Sequence, residues 1–241
     1  MKNLKMMTKT KTIQFSLYLA ASFCLLTAPV AAVGALPEVL PRPDGKPADM
    51  NKPVQVYILM GQSNMLGFGR IEGGEGSLSN ACKSKGLYPY LIDGNGNWTT
   101  RKDVRFVRVM CSGNKPAKTF NNEWMTITKS NIGPEIGIGH YVGHVTEAPV
   151  LILKSCIGNR SLGWDLLPPG SPPYTYEGKE IPGYGQTADG TPKEQAPDSW
   201  YAGTQYDGDV AAAKRVLDDL STYYPDAIEY EVAGFFWWQG D

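Results

Sequence analysis

The chain is short of the residues that ordinarily move protons or bind metals. Its two histidines, His140 and His144, lie four apart, and its four cysteines, Cys24, Cys82, Cys111 and Cys156, form no Cys-x-x-Cys pair and no cluster with histidine. A structural zinc site is therefore not indicated, and no cofactor is expected. Clusters of basic residues that would grip a phosphate backbone are also missing, which argues against a nucleic-acid partner. No internal repeat or low-complexity tract marks off a second domain.

What is present begins with an export pattern. Lys2, Lys5, Lys9 and Lys11 precede the apolar run "SLYLAASFCLLTAPVAA", which ends in small residues suited to cleavage near Ala32, so residues 1–32 read as a secretory signal. The run is short for a membrane span and no stop-transfer pattern follows it, so no stable membrane anchor is expected. Lipidation at Cys24 is disfavoured by Phe23 beside it and by its depth in the apolar region. Of the chain's 23 basic and 24 acidic residues, the signal takes four basic ones, so what remains is acidic overall. A secreted, periplasmic or cell-envelope location is an oxidising one, and the three remaining cysteines allow one bridge with three pairings. Cys82 with Cys111 is preferred, because both lie in irregular sequence, whereas Cys156 ends a strand-like run and suits a buried thiol.

Residues 33–53 form a proline-rich, aperiodic leader, expected to lie extended on or near the domain that fills residues 54–241. The domain opens with the hydrophobic run "VQVYILMG". Residues 67–131 read as polar, glycine-rich excursion loops holding short β-like pieces such as "VRFVRVM". Pro134 and Glu135 then suit the first turn of a helix with an apolar stripe at Ile138, Tyr141, Val142 and Val145, followed by a strand at 150–155. The glycines at 137, 139 and 143 weaken this helix but let it approach a sheet closely. A second helix places Val210, Ala213, Leu217, Leu220 and Tyr224 on one face and stops at Pro225. A last strand carries "YEVAGFFWWQGD". Strand, helix, strand, helix, strand is the pattern of a parallel sheet covered on both faces.

In such sheets ligands collect at the carboxyl ends of the strands. The three strands end in "GQSN", "SCIGNRS" and "WQGD", so three distant segments are expected to meet at one edge. Ser63 follows a strand on a tight turn, a setting that suits either a helix cap or a nucleophile. The Gly-x-Ser-x-Gly elbow is absent, since Met65 stands where its second glycine belongs.

Four segments, "GQSNMLG" at 61–67, "NIGPEIGIG" at 131–139, "IGNRSL" at 157–162 and "FFWWQGD" at 235–241, together resemble the carbohydrate-esterase branch of the SGNH hydrolases, which includes sialate O-acetylesterase-like proteins. The resemblance implies a flavodoxin-like three-layer α/β/α fold with a parallel central sheet. It also implies hydrolysis of acetyl esters on carbohydrate through an acyl-serine intermediate. Ser63 matches the nucleophile, and the oxyanion hole would be formed by the Ser63 N–H, the Gly158 N–H and the Gln239 side chain. Gln62 and Asn64 would shape the turn.

Asn159, Arg160 and Asp241 depart from the family's pattern of a second glycine, Ser or Thr, and Glu. Asn159 either donates a hydrogen bond or shapes its loop, and Asp241 either supports the site's edge or has no role there. Arg160 either meets an acidic or hydroxylated sugar or pairs with Asp165. Between the last two segments, Tyr174, Tyr176, Tyr184, Trp200 and Tyr201 either line a sugar cleft or anchor a packed surface loop. A general base is missing: His140 and His144 read as packing or surface residues. The family's Asp-x-x-His segment lies downstream of the tryptophan–glutamine block in which this chain stops. The sequence is thus expected to be part of a longer protein, with an inactive family member as the alternative.

Overall fold

The computed structural model describes residues 37–128 and 131–240. The signal segment 1–32 and Asp241 therefore lie outside the described residues. In chain order the elements are β1 (Val54–Gly61), α1 (Ser63–Leu66), β2 (Gly69–Arg70), β3 (Arg101–Met110), β4 (Lys118–Met125), β5 (Asn131–Ile132), α2 (Glu135–Val145), β6 (Val150–Ser155), β7 (Tyr174–Tyr176), β8 (Lys179–Ile181), α3 (Thr204–Asp218), α4 (Leu220–Tyr223) and β9 (Tyr230–Trp238).

Five strands form the central sheet in the order β4-β3-β6-β1-β9. All neighbouring pairs are parallel except β3 with β4. The protein is thus α/β, with a mostly parallel sheet between helices. β6 lies in the middle, all six of its residues are buried, and its sequence is an apolar run of four followed by Lys154 and Ser155. A strand covered on both faces needs that composition. Alternate residues feed two cores. Val104, Phe106, Val150 and Ile152 pack with Ile136 of α2, whereas Val107, Val109, Leu151 and Leu153 pack with Ala212, Ala213 and Val216 of α3.

Several expectations are corrected here. The segment "VRFVRVM" is not an excursion piece but most of β3, a ten-residue strand paired with β6. Its arginines and Lys102 disguise it, yet Arg101 bonds Asp103 and the His140 carbonyl, and Arg105 folds back on Asn122 and Tyr223. On α2, Tyr141 and Val145 are exposed, and the buried face is Ile136, Gly139, His140 and Gly143. The small residues are decisive: a Cβ at Gly139 would lie 2.2 Å from the Met125 sulfur, and one at Gly143 would lie 2.6 Å from Val104. On α3, Val210 faces solvent, and Gly208, Asp209, Ala212, Ala213 and Val216 face the sheet.

Cys82, Cys111 and Cys156 are all free and buried, so the Cys82–Cys111 bridge is not formed. Cys82 belongs to the core under α2 and Cys111 to the core under α3, with the sheet between them.

The part of the leader that is described lies against the domain. Leu40 is buried in the α2-side core, the Asp49 N–H donates to the Glu147 carbonyl, and Lys52 pairs with Glu147. At the other edge of the sheet, β9 leaves Val232, Phe235 and Trp238 about half exposed. Among the described residues, no helix is long and apolar enough to cross a membrane.

Candidate functional site at the carboxyl ends of β1, β6 and β9

Because β1, β6 and β9 run parallel, their carboxyl ends share one edge of the sheet, and the three polar segments meet there. A Cβ built on Gly158 would lie 3.7 Å from the Ser63 Cβ. Asn64 Nδ2 donates to the Gly240 carbonyl at 2.7 Å, and the Gln62 N–H reaches the Trp238 carbonyl at 3.4 Å. Gln239 Nε2 donates to the Arg160 carbonyl at 3.0 Å, tying the segment after β9 to the loop after β6. Gly61 makes the approach feasible: it has φ +144, and any Cβ there would fall 2.1 Å from the Trp238 carbonyl oxygen.

Ser63 is the first residue of α1 and is half-buried. The buried Gln62 side chain accepts from both the Ser63 N–H and the Ser63 hydroxyl. The Ser63 N–H can therefore serve a substrate oxygen only when the Gln62 amide turns aside. Gln239 spends one side-chain N–H on Arg160 and keeps a second. Gly158 stands beside Ser63, where a Cβ would meet Ser63 and Leu66 only at ordinary van der Waals distance. Asn159 is exposed with φ +56, a left-handed conformation that Asn tolerates better than most residues. Its carbonyl accepts from Arg160 Nη1, so in this structure Asn159 shapes the loop.

Arg160 does not pair with Asp165. It stacks on Trp200 with 5.2 Å to the ring centroid, while Asp165 accepts from the Trp200 indole N–H and the Ser161 N–H. Trp200 and Arg160 thus flank the loop that carries Gly158. Tyr174 and Tyr176 stand exposed on the β7–β8 hairpin, Tyr174 reaching the Gly163 carbonyl. No hydrogen bond or ring contact links Tyr176 to the site among the described residues.

Tyr184 and Tyr201 serve as anchors and not as cleft walls. Both hydroxyls donate to the Asp207 carboxylate on α3, and Lys193 joins them, with its ammonium over both rings. The Tyr184 hydroxyl, followed by Asp207, raises the Lys193 pKa above the ordinary lysine value despite partial burial. This clasp holds the polar excursion between β6 and α3. Asp207→Ala is expected to cost about 1–2 kcal/mol, since several hydrogen bonds to a charged group are lost at a partly solvated place. It should also open residues 168–203 to limited proteolysis at protease levels that leave the wild type intact.

Neither histidine is bonded to Ser63. His140 is buried, with its ring 5.0 Å from that of Tyr90 and its Nδ1 without a partner. Burial, assisted by Arg101, pushes its pKa down to about 3, so it stays neutral. His144 is exposed at the end of α2, and the two do not share an exposed face.

Two groups escaped sequence reasoning although a signal existed. Gln205 and Asp209, four apart, interrupt the buried face of α3, and Lys154 interrupts β6. Polar residues at core positions of an otherwise apolar pattern mark networks. Lys154 pairs with Glu135 of α2 and donates at 3.1 Å to the carbonyl of Leu66, the last residue of α1.

Comparison with protein-family models, with characterised proteins and with solved structures gives no match.

Proposed function

We propose that the protein is a secreted serine esterase of the SGNH carbohydrate-esterase kind, with that group's flavodoxin-like form of the α/β fold, which removes O-acetyl groups from carbohydrates. Ser63 attacks the ester carbonyl, and the bond from the acetyl carbon to the sugar oxygen breaks. The sugar leaves as its free hydroxyl with the proton that Ser63 gave up through solvent, and water then cleaves the acyl-serine to release acetate. The Gly158 N–H and the second Gln239 side-chain N–H, together with the Ser63 N–H once Gln62 turns aside, receive the oxyanion. Trp200 and Arg160 offer an aromatic face and N–H donors to the sugar. The observation that carries the reading is the meeting of Ser63, Gly158 and Gln239 at one sheet edge, from segments about 95 and 81 residues apart in sequence.

A positioned base ordinarily contributes 10²–10⁴-fold to such a reaction, and no base is bonded to Ser63 among the described residues. That favours a second reading, a carbohydrate-binding protein with an esterase-like cleft, and makes slow turnover the expectation for this chain. The two separate in one pair of measurements: p-nitrophenyl acetate hydrolysis by the wild type and Ser63→Ala, and calorimetric titration of both with acetylated oligosaccharides. Acetate release lost in Ser63→Ala supports the esterase; hydrolysis undiminished in that variant removes Ser63 as nucleophile. Saturable binding without any release supports the second reading.

A further inference from the structure

Behind the Gly158 loop lies a buried carboxyl group that the proposed chemistry does not use. Asp209 is fully buried on the sheet-facing side of α3, and its Oδ2 has no hydrogen-bond partner. Its Oδ1 accepts from Gln205 Nε2 at 2.8 Å, one turn earlier on the same helix. Gln205 is itself fully buried, and its other amide atom, Oε1, accepts from Arg160 Nε at 3.0 Å and from the Gly113 N–H at 2.9 Å. A continuous chain of side chains therefore runs from Asp209 through Gln205 to Arg160, two residues beyond the glycine that abuts Ser63.

We infer that Asp209 is a positioning residue for the cleft: acting through the Gln205 amide, it holds the Arg160 guanidinium beside Trp200 in its carboxylate form and releases it on protonation. An ionised carboxylate is an acceptor only, so together with the Cys111 carbonyl, which also accepts from Gln205 Nε2 at 3.3 Å, it holds the Gln205 amide with the nitrogen inward and the oxygen toward Arg160. A protonated carboxyl group accepts more weakly and can itself donate. Protonation thus removes the charge that polarises the Gln205 amide and loosens the bond from Arg160 Nε to its oxygen. The Arg160 guanidinium has five N–H groups, of which Gln205, the Asn159 carbonyl and the Ser112 hydroxyl take three. Two remain for a ligand, and Arg160 forms no ion pair among the described residues. Its placement thus governs what the cleft can recognise, a consequence that rests on the reading of this edge as a substrate site.

The surroundings keep the switch in an accessible pH range. Burial raises the Asp209 pKa to about 7, against the opposing effects of Gln205, Cys111 and Arg160. The other titratable groups facing it are thiols, Cys111 at the end of β3 and Cys156 after β6, which burial pushes up to about 11 and about 12. Both stay protonated while Asp209 titrates. The Ser155 hydroxyl donates to the Asp209 carbonyl and leaves the carboxylate untouched.

The test needs neither substrate nor turnover. In the full chain labelled with ¹⁵N and ¹³C, the Arg160 Nε–H signal, assigned by its absence in Arg160→Lys, is followed from pH 5 to 9 together with the Asp209 carboxyl carbon. Protection of that N–H against exchange, taken relative to the intrinsic base-catalysed rate at each pH, should fall about tenfold below the Asp209 midpoint, as one charge-assisted hydrogen bond is lost. In Asp209→Asn the pH dependence should vanish. In Gln205→Met the carboxyl group should still titrate while Arg160 no longer responds, and this arm stands if Asp209→Asn fails to fold. An Arg160 signal indifferent to the Asp209 titration in the wild type, or one still responding in Gln205→Met, overturns the inference. A protein that hydrolyses no ester can still pass this test, so failure of the relay and failure of the esterase reading are separately visible.

Discussion

Replacing Lys154 by Met is expected to lower the free energy of unfolding by about 3–5 kcal/mol, read from urea denaturation at pH 7. Lys154 is wholly buried, and so almost wholly is its partner Glu135, which also accepts from the Gly133 N–H at 3.0 Å. The single substitution leaves a carboxylate without its counter-ion in the core and takes the donor from the Leu66 carbonyl. The cost of a buried ion pair is mainly the cost of breaking it: an apolar pair of similar volume is often as stable. Lys154→Met combined with Glu135→Leu should therefore recover most of the loss. About 1 kcal/mol should remain for each orphaned backbone group, the Leu66 carbonyl and the Gly133 N–H. A single variant within 1 kcal/mol of the wild type would show that the pair is dispensable. The pair matters to the site because Leu66 ends the short helix that Ser63 begins.

Two buried titratable groups are expected to tilt stability in opposite directions between about pH 4 and pH 6.5. His140 has its pKa lowered from 6.5 to about 3 by burial and Arg101. As pH falls through 6.5 the unfolded chain takes up a proton that the native state refuses, so this group favours folding at high pH and loses that contribution toward acid. Asp209 has its pKa raised from 3.8 to about 7 by burial. Between those values the native state keeps a proton that the unfolded chain has lost, so stability falls as pH rises. Each effect is on the order of 4 kcal/mol at its full extent, from shifts of more than three units. Their sum is nearly level in the wild type. Removing one should unmask the other: His140→Gln should become less stable from pH 4.5 to 6.5, and Asp209→Asn more stable over the same interval. Urea midpoints at the two pH values check the signs, and slopes of the same sign in both variants would contradict the assignment.

Much of the architecture was legible in the sequence. The apolar run before "GQSN", the run "VLILKS" and the last strand sit side by side as parallel strands. Continuous burial leaves its composition on "VLILKS", whereas the last strand is a largely exposed edge, legible from its β-branched and aromatic residues. β3 was hidden because its arginines fold back on carbonyls and side chains within reach, which a one-dimensional pattern scores as solvent exposure. On α2, and on α3 and the short helical turn after it, Ile138, Val142, Ala213, Leu217, Leu220 and Tyr224 pack against the cores as expected, and the misplaced residues are Tyr141, Val145 and Val210. Hydrophobic periodicity looks for large residues, and here the contacts with the sheet are made by Gly139, Gly143, Gly208, Ala212 and Ala213, with Tyr141 and Val210 turned outward.

The site divides in the same way. Position relative to the strands was enough to select the segments "GQSN", "SCIGNRS" and "WQGD", since a parallel sheet sends every strand's carboxyl end to one edge. The choice of Ser63, Gly158 and Gln239 within them came from the family resemblance. Their hydrogen bonds were not readable: that Gln62 occupies the Ser63 N–H and hydroxyl, or that Gln239 reaches the Arg160 carbonyl, depends on side-chain torsions set by packing. Tyr184 and Tyr201 look like Trp200 in sequence but turn inward to Asp207, because a carboxylate on the first turns of α3 lies within reach of both.

The sequence by itself determined the parallel sheet and which three segments end at its common edge, because both follow from residue patterns that burial imposes locally. Only the tertiary structure decided that Asp209, Gln205 and Arg160 form one chain and that Cys82 and Cys111 stay apart. It also decided that Lys154 reaches across to the end of the helix that Ser63 begins. Those relations join residues from separate elements, and the distance between such residues is fixed only when the layers pack.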